Sequence, residues 1–430
     1  MTTAHHDSLP IRSQLPNPSR RQLLRAGGFG ALALLAGCSN VVSNTSSESN
    51  GQIQFRGWSF QIKGEGPAVK QLVAAYEKSH KVKVKEISLP YESYLDQLIL
   101  QLRSADASGL VQVNLDWLST VVATKKVKQL GSLDGAGYTP EAIKAGQLDG
   151  VQYGMPWTAS AIGLVANPEL LAKADTSGKF GAIDEFEQEL VALSKLKGVT
   201  PYAAITAIAE LKDIVPWIRT FGGTIIEDGK VTLGDAASVE AVTWYKSLLD
   251  RKLIAPSMDR FTARSLFAKG KVGFYDDAPL AKASLLGSDN TELAEKVRPA
   301  ARPIGPSGRP EALSWGRLLV VLSSEDTGPA EKLARHLTAD SAAALKYFAE
   351  TSLPPVTEET LGDAAVQKDE FMAAFQKEIV PTAAASPFWT YPKFQNMEKT
   401  LSEAVQSVLV GKDDAKSALT SAGRSIQEML

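Results

Sequence analysis

Tryptophans are the residues of this sequence that most directly suggest chemistry. Of the seven in the chain, Trp244 lies on the apolar stripe of a helical segment and is predicted to be core; the others are Trp58, Trp117, Trp157, Trp217, Trp315 and Trp389. An indole face packs against the C–H face of a pyranose, while the hydroxyl edge needs carboxylates, amides and guanidinium groups. Any one of these tryptophans is equally compatible with core packing. Together the six favour a carbohydrate pocket.

The segments that would position these tryptophans alternate between strand and helix. "IQFRGWSF" reads as a strand, Val69, Leu72, Val73 and Tyr76 have helical spacing, "KVKVKEI" alternates with period two, and "LVQVNL" again reads as a strand. This alternation predicts an α/β architecture with parallel sheets. Trp58, Trp117, Trp157 and Trp315 are each predicted to lie where a strand meets a loop, and in open α/β sheets ligands bind beyond the carboxyl ends of strands.

The same alternation continues through the second half of the sequence. "SAIGLVAN", "KVGFYDD" and "WGRLLVVLSS" are predicted strands and "DEFEQELVALSKL" is a predicted helix. Residues 329–350 are predicted to be helical and to be followed by Pro354 and Pro355. The tail carries Met397, Leu401 and Val405 on one helical face, and Gly411 is predicted to end that helix.

Catalytic motifs do not emerge from the sequence. It contains four histidines, none with metal-ligand or triad spacing, and no G-x-S-x-G, HExxH or Walker A pattern. Asp276 and Asp277 are adjacent, so on a strand they would point to opposite faces and make a poor acid/base pair. A carboxylate pair assembled only in space, as in glycoside hydrolysis, stays open at this point. We expect a protein that is not an enzyme and that uses no cofactor and no metal.

Composition narrows the class of partner. Residues 38–430 carry 42 basic and 47 acidic side chains, which argues against nucleic acid because phosphate binding needs a concentrated basic surface. Residues 52–430 are enough for two or three domains, and no apolar run among them reaches the ~18 residues of a membrane span.

The N-terminal segment predicts export. Arg20, Arg21 and Arg25 precede an uncharged run of small and apolar residues, 26–37, which is too short to span ~30 Å of hydrocarbon. "GFGALA" in this run matches the G-x-G-x-x-A dinucleotide pattern, but the basic, proline-containing residues before it do not form the preceding strand which that motif needs. A removable signal of residues 1–37 is the better interpretation.

The only cysteine, Cys38, directly follows this signal. "SRRQLLR" resembles a twin-arginine export signal, with Leu23 where phenylalanine is commonest, and "LAGC" resembles a bacterial lipobox. The resemblance implies that Cys38 is diacylated and becomes the first mature residue, since two acyl chains make a stable anchor. Residues 38–51 would then be the acylated cysteine and a Ser/Asn-rich flexible tether.

Residues 52–430 resemble the sugar-binding group of extracellular solute-binding proteins that feed ABC importers, the family-1, maltose-binding-protein-like group. The matching stretches appear in family order: "FRGWS", "YLDQLILQLRSADASGLVQVNLDWLSTVVATKKVKQL", "LDGVQYGMPWTASAIGLVANPELL", "PWIRTFGGTIIEDGKVTL", "LFAKGKVGFYDD", "LSWGRLLVV", "LPP" and "SPFWTYPKF". Two departures are "SGL" at 108–110, where the family often has Pro-Asp, and "WGR" at 315–317, where it commonly has a glycine pair.

The resemblance implies a type II periplasmic-binding-protein-like fold, α/β, with two hinge-linked lobes and mainly parallel sheets. Lobe one would comprise residues 52–158 plus 314–353, and lobe two residues 159–313 plus 354–430. Crossover strands are expected near 157–165 and 313–320, with a third crossing near 353–356. Ligand would lie in the cleft between the lobes, which close around it by hinge bending.

The resemblance also implies the ligand-binding residues, which are Trp58, Ser59, Asp116, Trp117, Trp157, Trp217, Tyr275, Asp276, Trp315, Gly316, Arg317 and Trp389. Tryptophans would stack on sugar, while Asp116, Asp276 and Arg317 would bind hydroxyls. The expected partners are a small-molecule sugar, the transmembrane permease subunits of an ABC transporter and, through the lipid on Cys38, a membrane. We expect a monomer that is extracytoplasmic or periplasmic, lipid-anchored to the outer face of the cell membrane.

Two alternatives remain at this stage. A receptor of the same fold could take a non-sugar solute such as a polyamine or an organic phosphate, because acidic and aromatic residues can box a cation. A secreted carbohydrate-active enzyme is the other.

Overall fold

The computed structural model describes residues 52–62, 65–286, 288 and 290–430. The predicted export signal, the lipidation site Cys38 and the tether lie outside the described residues. Residues 51–430 form one compact unit.

The strands of the described residues are β1 Gln52–Gly57, β2 Lys83–Ser88, β3 Leu110–Asn114, β4 Gln147–Leu148, β5 Val151–Gln152, β6 Gly154–Ala166, β7 Thr200–Ala203, β8 Ile226–Glu227, β9 Lys230–Val231, β10 Val272–Asp277, β11 Arg298–Ala300, β12 Ala312–Val321 and β13 Ala383–Ala384.

The α-helices are α1 Glu65–His80, α2 Tyr94–Leu102, α3 Leu118–Val122, α4 Pro140–Ala145, α5 Pro168–Lys173, α6 Ile183–Ser194, α7 Ile214–Thr220, α8 Ala236–Asp250, α9 Arg260–Ala268, α10 Leu280–Leu286, α11 Thr291–Lys296, α12 Gly328–Ala339, α13 Ser341–Thr351, α14 Glu358–Leu361, α15 Ala364–Gln367, α16 Glu370–Glu378, α17 Phe394–Leu409 and α18 Ala415–Gln427. Short 3-10 helices cover Ser59–Gln61, Tyr91–Ser93, Leu115–Trp117, Ile208–Asp213 and Val380–Thr382.

Two long strands join the sheets of the two lobes. The strand order is β2-β1-β3-β12-β6-β10-β7, with β11 beside β6 and β13 beside β12. β1 runs parallel to β2 and β3, and β7 runs parallel to β10, as the alternation of strands and helices predicts. β6 and β12 are the crossover strands. They run antiparallel to each other, β12 also runs antiparallel to β3, and β6 also runs antiparallel to β10. Together with the likeness to solved structures given below, this confirms the α/β class and the two lobes, while the residue boundaries of the lobes stay a prediction.

A β-bulge interrupts the pairing of the crossover strands. Arg317 is opposite Thr158, but Leu318 is opposite Pro156, so Trp157 is the extra residue. A bulge of this kind re-aims the side chain it contains.

The predicted helix over 329–350 is wrong in one respect, since two helices occupy it. α12 ends at Ala339 and α13 starts at Ser341, because the Asp340 side chain accepts a hydrogen bond from the Ala343 N–H and caps a new helix. The predicted end of the last-but-one helix is confirmed. α17 ends at Leu409, and Gly411 follows with a φ of +74°, a conformation that favours glycine.

Within the described part of the chain, no helix is both long enough and apolar enough to cross a bilayer. The largest buried apolar cluster extends from Trp58, Val113 and Trp117 to Trp217 and Leu401, so it includes side chains of both lobes.

Candidate functional site

The aromatic residues that follow β1, β2 and β3 form one cluster. The ring centroids of Trp58 and Trp117 are 5.2 Å apart, and Tyr91 lies 5.6 Å from Trp58 and 5.7 Å from Trp117. Tyr94, at the start of α2, lies 4.9 Å from Trp58. Trp58 is 2% exposed, whereas Tyr91 is 43% exposed. The structure thus brings Trp58 and Trp117 together, and Tyr91 is the ring of this cluster that solvent reaches.

Arg317, on β12, places a guanidinium between two tryptophans. Its Cζ atom is 5.5 Å from the ring centroid of Trp58 and 5.6 Å from that of Trp315. The Trp315 indole is only half-buried. A guanidinium over indole faces is a favourable arrangement, especially where water is excluded. Trp58, Trp315 and Arg317 are therefore neighbours at the junction of the lobes, as the sequence analysis expects.

A buried carboxylate holds Arg317 in place. Nη1 of Arg317 donates a hydrogen bond to Glu65, and the hydroxyls of Ser59 and Tyr347 each donate to Oε1 of Glu65 at 2.5 Å. Burial lowers the pKa of Arg317, but the Glu65 carboxylate together with Tyr347 and Tyr91 more than offsets this, so the net shift of the pKa is upward and the guanidinium stays charged. Ser59 also receives support from Gln112, whose Nε2 donates to the Ser59 hydroxyl at 2.6 Å. In this conformation Ser59 helps to position Arg317.

Gly316 on β12 lies close to the backbone of β6. A Cβ atom at this position would be 2.4 Å from the carbonyl oxygen of Thr158. Any larger residue would therefore push the crossover strands apart at the point where Arg317 and Thr158 face each other. The close approach explains why this position needs a glycine.

Charged and polar groups connect the lobes on the other side of the aromatic cluster. Asp116, next to Trp117, has its Oδ2 atom 3.4 Å from Nζ of Lys212, which lies before α7. The Ser119 hydroxyl donates to the Tyr391 carbonyl at 3.1 Å, and Nε1 of Trp389 donates to Glu398 at 2.8 Å. Asp116 thus lies where the two predicted lobes meet and is already paired, while Trp389 bonds to Glu398 of its own predicted lobe.

Glu398 makes the stability of this contact depend on pH. Burial raises the pKa of Glu398 to about 7, although nearby Lys212 opposes the shift and Asp116 adds to it. In the unfolded chain the pKa is about 4.3, so the folded state binds more protons between those values and stability falls as pH rises through 7. Relative to Glu398→Gln, we expect the wild type to lose about 1–3 kcal/mol of unfolding free energy between pH 5 and 8. Urea titrations of both proteins at each pH check this, and parallel pH profiles would contradict it.

Three predicted ligand contacts lie within packed interiors. Trp157 stacks on Tyr347 with centroids 4.9 Å apart and planes at 13°, and Trp217 packs 4.6 Å from Trp244. Tyr275 packs 4.5 Å from Phe267. All three are buried, so none can stack on a ligand in this conformation. Trp157 and Trp315 also lie within β6 and β12, and not at the strand ends where the sequence pattern places them, whereas the predicted core position of Trp244 is confirmed.

Asp276 is committed to a buried ion pair. It pairs with Arg302, and the hydroxyl of Tyr202 also donates to it. The next residue, Asp277, accepts two hydrogen bonds of 2.6 Å from Arg264. The two carboxylates point to opposite faces of β10, as predicted, and Asp276 is not free to bind a hydroxyl in this arrangement.

The sequence analysis missed four residues of this region, namely Glu65, Tyr91, Lys212 and Arg302. Tyr91 had a signal, because "SLPYES" places an aromatic ring just after a predicted strand, as "GWS" does for Trp58. Glu65, Lys212 and Arg302 have no local pattern, since each is defined by a partner far away in the chain.

Comparison with known proteins identifies the family. Residues 71–374 match the family described as bacterial extracellular solute-binding protein. A Brucella abortus (strain 2308) protein described as a binding protein is 25% identical over 415 residues, which cover 92% of this chain and 97% of that protein. The galactooligosaccharide-binding protein of Bacillus subtilis (strain 168) is 23% identical over 409 residues, 91% of this chain and 93% of that protein.

Solved structures share the fold. The GacH receptor of Streptomyces glaucescens superposes with a TM-score of 0.77 at 20% identity, over 88% of this chain and 98% of that chain. UgpB of Mycobacterium tuberculosis superposes with a TM-score of 0.75 at 17% identity, again over 88% and 98%. Because the family match covers well over half of the sequence, the chain belongs to the bacterial extracellular solute-binding proteins.

Proposed function

We propose that this protein is the extracytoplasmic substrate-binding component of an ABC importer and that it captures a sugar or oligosaccharide between its lobes. The observation that carries the proposal is the half-buried indole of Trp315 on crossover strand β12, beside Arg317 and the cluster of Trp58, Trp117 and Tyr91. A stacking surface and hydrogen-bonding groups meet there, which is what a pyranose requires.

The relatives support a saccharide. The Bacillus subtilis relative is a galactooligosaccharide-binding protein, and the GacH receptor was solved in complex with acarbose. UgpB, with the same fold, was solved in complex with glycerophosphocholine, which keeps an organic phosphate as the second candidate ligand. The family and fold are those of binding proteins. We propose that the protein likewise captures its ligand without converting it chemically.

Closure would couple binding to transport. Asp116, Ser119 and Thr120 of one lobe contact Lys212, Tyr391 and Pro392 of the other. A ligand can favour the closed lobes only through contacts that the open form lacks. The ligand is therefore proposed to bridge the lobes, and the closed monomer to dock on the transmembrane subunits of the permease. Trp58, Trp117 and Trp389 are proposed to stack on the ligand in the course of this opening and closing of the lobes. The predicted lobe boundaries also remain proposals.

Attachment through Cys38 is proposed to keep the receptor at the outer face of the membrane, since tethering raises its local concentration at the permease. We expect Cys38→Ala to move most of the protein from the membrane fraction to the soluble exported fraction of the native host. Unchanged membrane association of this variant would contradict lipid anchoring.

The direct test is calorimetry of the purified protein against a defined panel. The panel contains neutral mono- to tetrasaccharides of glucose and galactose, together with glucuronate, glucose 6-phosphate, glycerophosphocholine and spermidine. We expect one-to-one binding of at least one saccharide and its recovery intact after incubation. Cleavage of a bound saccharide would contradict the receptor function in favour of an enzyme.

A further inference from the structure

One face of the crossover strands carries polar side chains from both strands. Directly opposed residues of an antiparallel pair project to the same face. Thr158 is opposite Arg317 and Ser160 is opposite Trp315, so these four side chains share one face. In β6, both pairs lie on the C-terminal side of the bulged residue Trp157. We call Thr158, Ser160, Trp315 and Arg317 the ribbon face.

Three polar atoms of the ribbon face lack hydrogen-bond partners among the described residues. They are Oγ1 of Thr158, Oγ of Ser160 and Nε of Arg317. The three residues are 1%, 6% and 6% exposed, so all three are buried. Buried polar groups are nearly always hydrogen-bonded, and an unmade bond in a folded protein needs a reason. Three such atoms on one face, beside a half-buried indole, indicate groups that bind something other than the protein.

The full charges around the ribbon face are already paired within the chain. Arg317 pairs with Glu65, Asp116 with Lys212, and Asp276 with Arg302. A charged ligand would lose its hydration here beside these charges, which already have partners, and that is unfavourable. A ligand hydroxyl carries no charge, and it can accept from the Nε–H of Arg317 and exchange hydrogen bonds with Thr158 and Ser160.

We propose that the ribbon face, once the lobes open, is a subsite for an uncharged polyhydroxylated ring, held by hydrogen bonds from Thr158, Ser160 and Nε of Arg317 and by stacking on Trp315. This inference rests on the proposed function and narrows it to neutral saccharides, against phosphate esters, uronates and polyamines. It also adds Thr158 and Ser160, neither of which the sequence analysis selected, as specificity-determining residues.

Two variants test the hydroxyls against a matched control. Thr158→Val and Ser160→Ala should each weaken binding of the neutral saccharide found with the panel above by about 3–10-fold, the effect of one neutral hydrogen bond. Their melting temperatures without ligand should equal or exceed that of the wild type, because each loses a hydroxyl that had no partner. The control is Thr338→Val, whose hydroxyl donates to the Ala334 carbonyl at 2.8 Å. It should lower the melting temperature and leave binding unchanged.

The outcomes separate this inference from the proposed function. Binding of neutral saccharides, with weakened binding in both variants, would support it. Wild-type affinity in both variants would overturn the assignment of Thr158 and Ser160. Binding restricted to glucuronate or glucose 6-phosphate would overturn the uncharged class and leave the sugar-receptor function intact. Failure of every saccharide to bind, neutral or charged, would instead overturn the proposed sugar-receptor function.

Discussion

Replacing Arg302 with methionine is expected to lower the free energy of unfolding by about 3–5 kcal/mol, because the substitution leaves a buried carboxylate without its partner. Arg302 and Asp276 are both fully buried, and Nη1 of Arg302 also donates to the Glu311 carbonyl at 2.9 Å. The Cζ atom of Arg302 lies 5.4 Å from the Trp217 ring centroid. Equilibrium unfolding in urea measures the loss.

Two further variants show whether the buried charge causes the loss. Arg298 pairs with Glu370 at 3.7 Å between exposed side chains, so Arg298→Met should cost no more than about 1 kcal/mol. Adding Asp276→Asn to Arg302→Met should recover a substantial part of the stability, because it removes the unpaired charge. A loss below 1 kcal/mol in Arg302→Met would show that the pair does not stabilise the second lobe.

The second large effect is expected at Arg317. Arg317→Met leaves Glu65 buried without a cation and should cost about 3–5 kcal/mol of unfolding free energy. It should also weaken saccharide binding by about 10–100-fold, the typical contribution of a hydrogen bond from a charged donor.

The double variant Glu65→Gln/Arg317→Met distinguishes these two effects. It removes the unpaired carboxylate, so most of the lost stability should return, while saccharide binding should stay as weak as in Arg317→Met. Recovery of affinity along with stability would show that Arg317 acts only on the fold. Urea unfolding and calorimetry on the same protein samples make the comparison.

The predicted strands succeed where the local pattern is strong. "LVQVNL" is a short apolar run, and β3 is buried at every position because it lies between β1 and β12 and its two faces pack into two different apolar clusters. The predicted strand "WGRLLVVLSS" is likewise confirmed, since most of it lies in β12. The single helix over 329–350 was wrong although the sequence held a signal, since an aspartate followed by serine and alanines in "TADSAA" is a good N-cap.

The site was less predictable than the fold because its parts depend on distant partners. Trp157 and Trp315 are predicted to lie at strand ends, but β6 begins at Gly154 and β12 at Ala312, so both tryptophans lie within the crossover strands. Trp157 is also the extra residue of a β-bulge and stacks on Tyr347, and bulges have no dependable sequence signal. Trp217 lies on α7, where Ile214, Val215 and Ile218 are all buried. Apolar residues on every side of a helix are typical of core, so Trp217, like Trp244, could have been predicted to be a core residue. The unpaired hydroxyls of Thr158 and Ser160 emerge only once the pairing of β6 with β12 is known.

A crystal structure of the protein with the saccharide selected by calorimetry would show whether the ribbon face holds the ligand. We expect a sugar ring against the indole of Trp315, with ligand hydroxyls within hydrogen-bonding distance of Thr158 Oγ1, Ser160 Oγ and Arg317 Nε, and with both lobes in contact with the ligand. A saccharide bound on the outer surface of one lobe, leaving those three atoms unpaired, would contradict it.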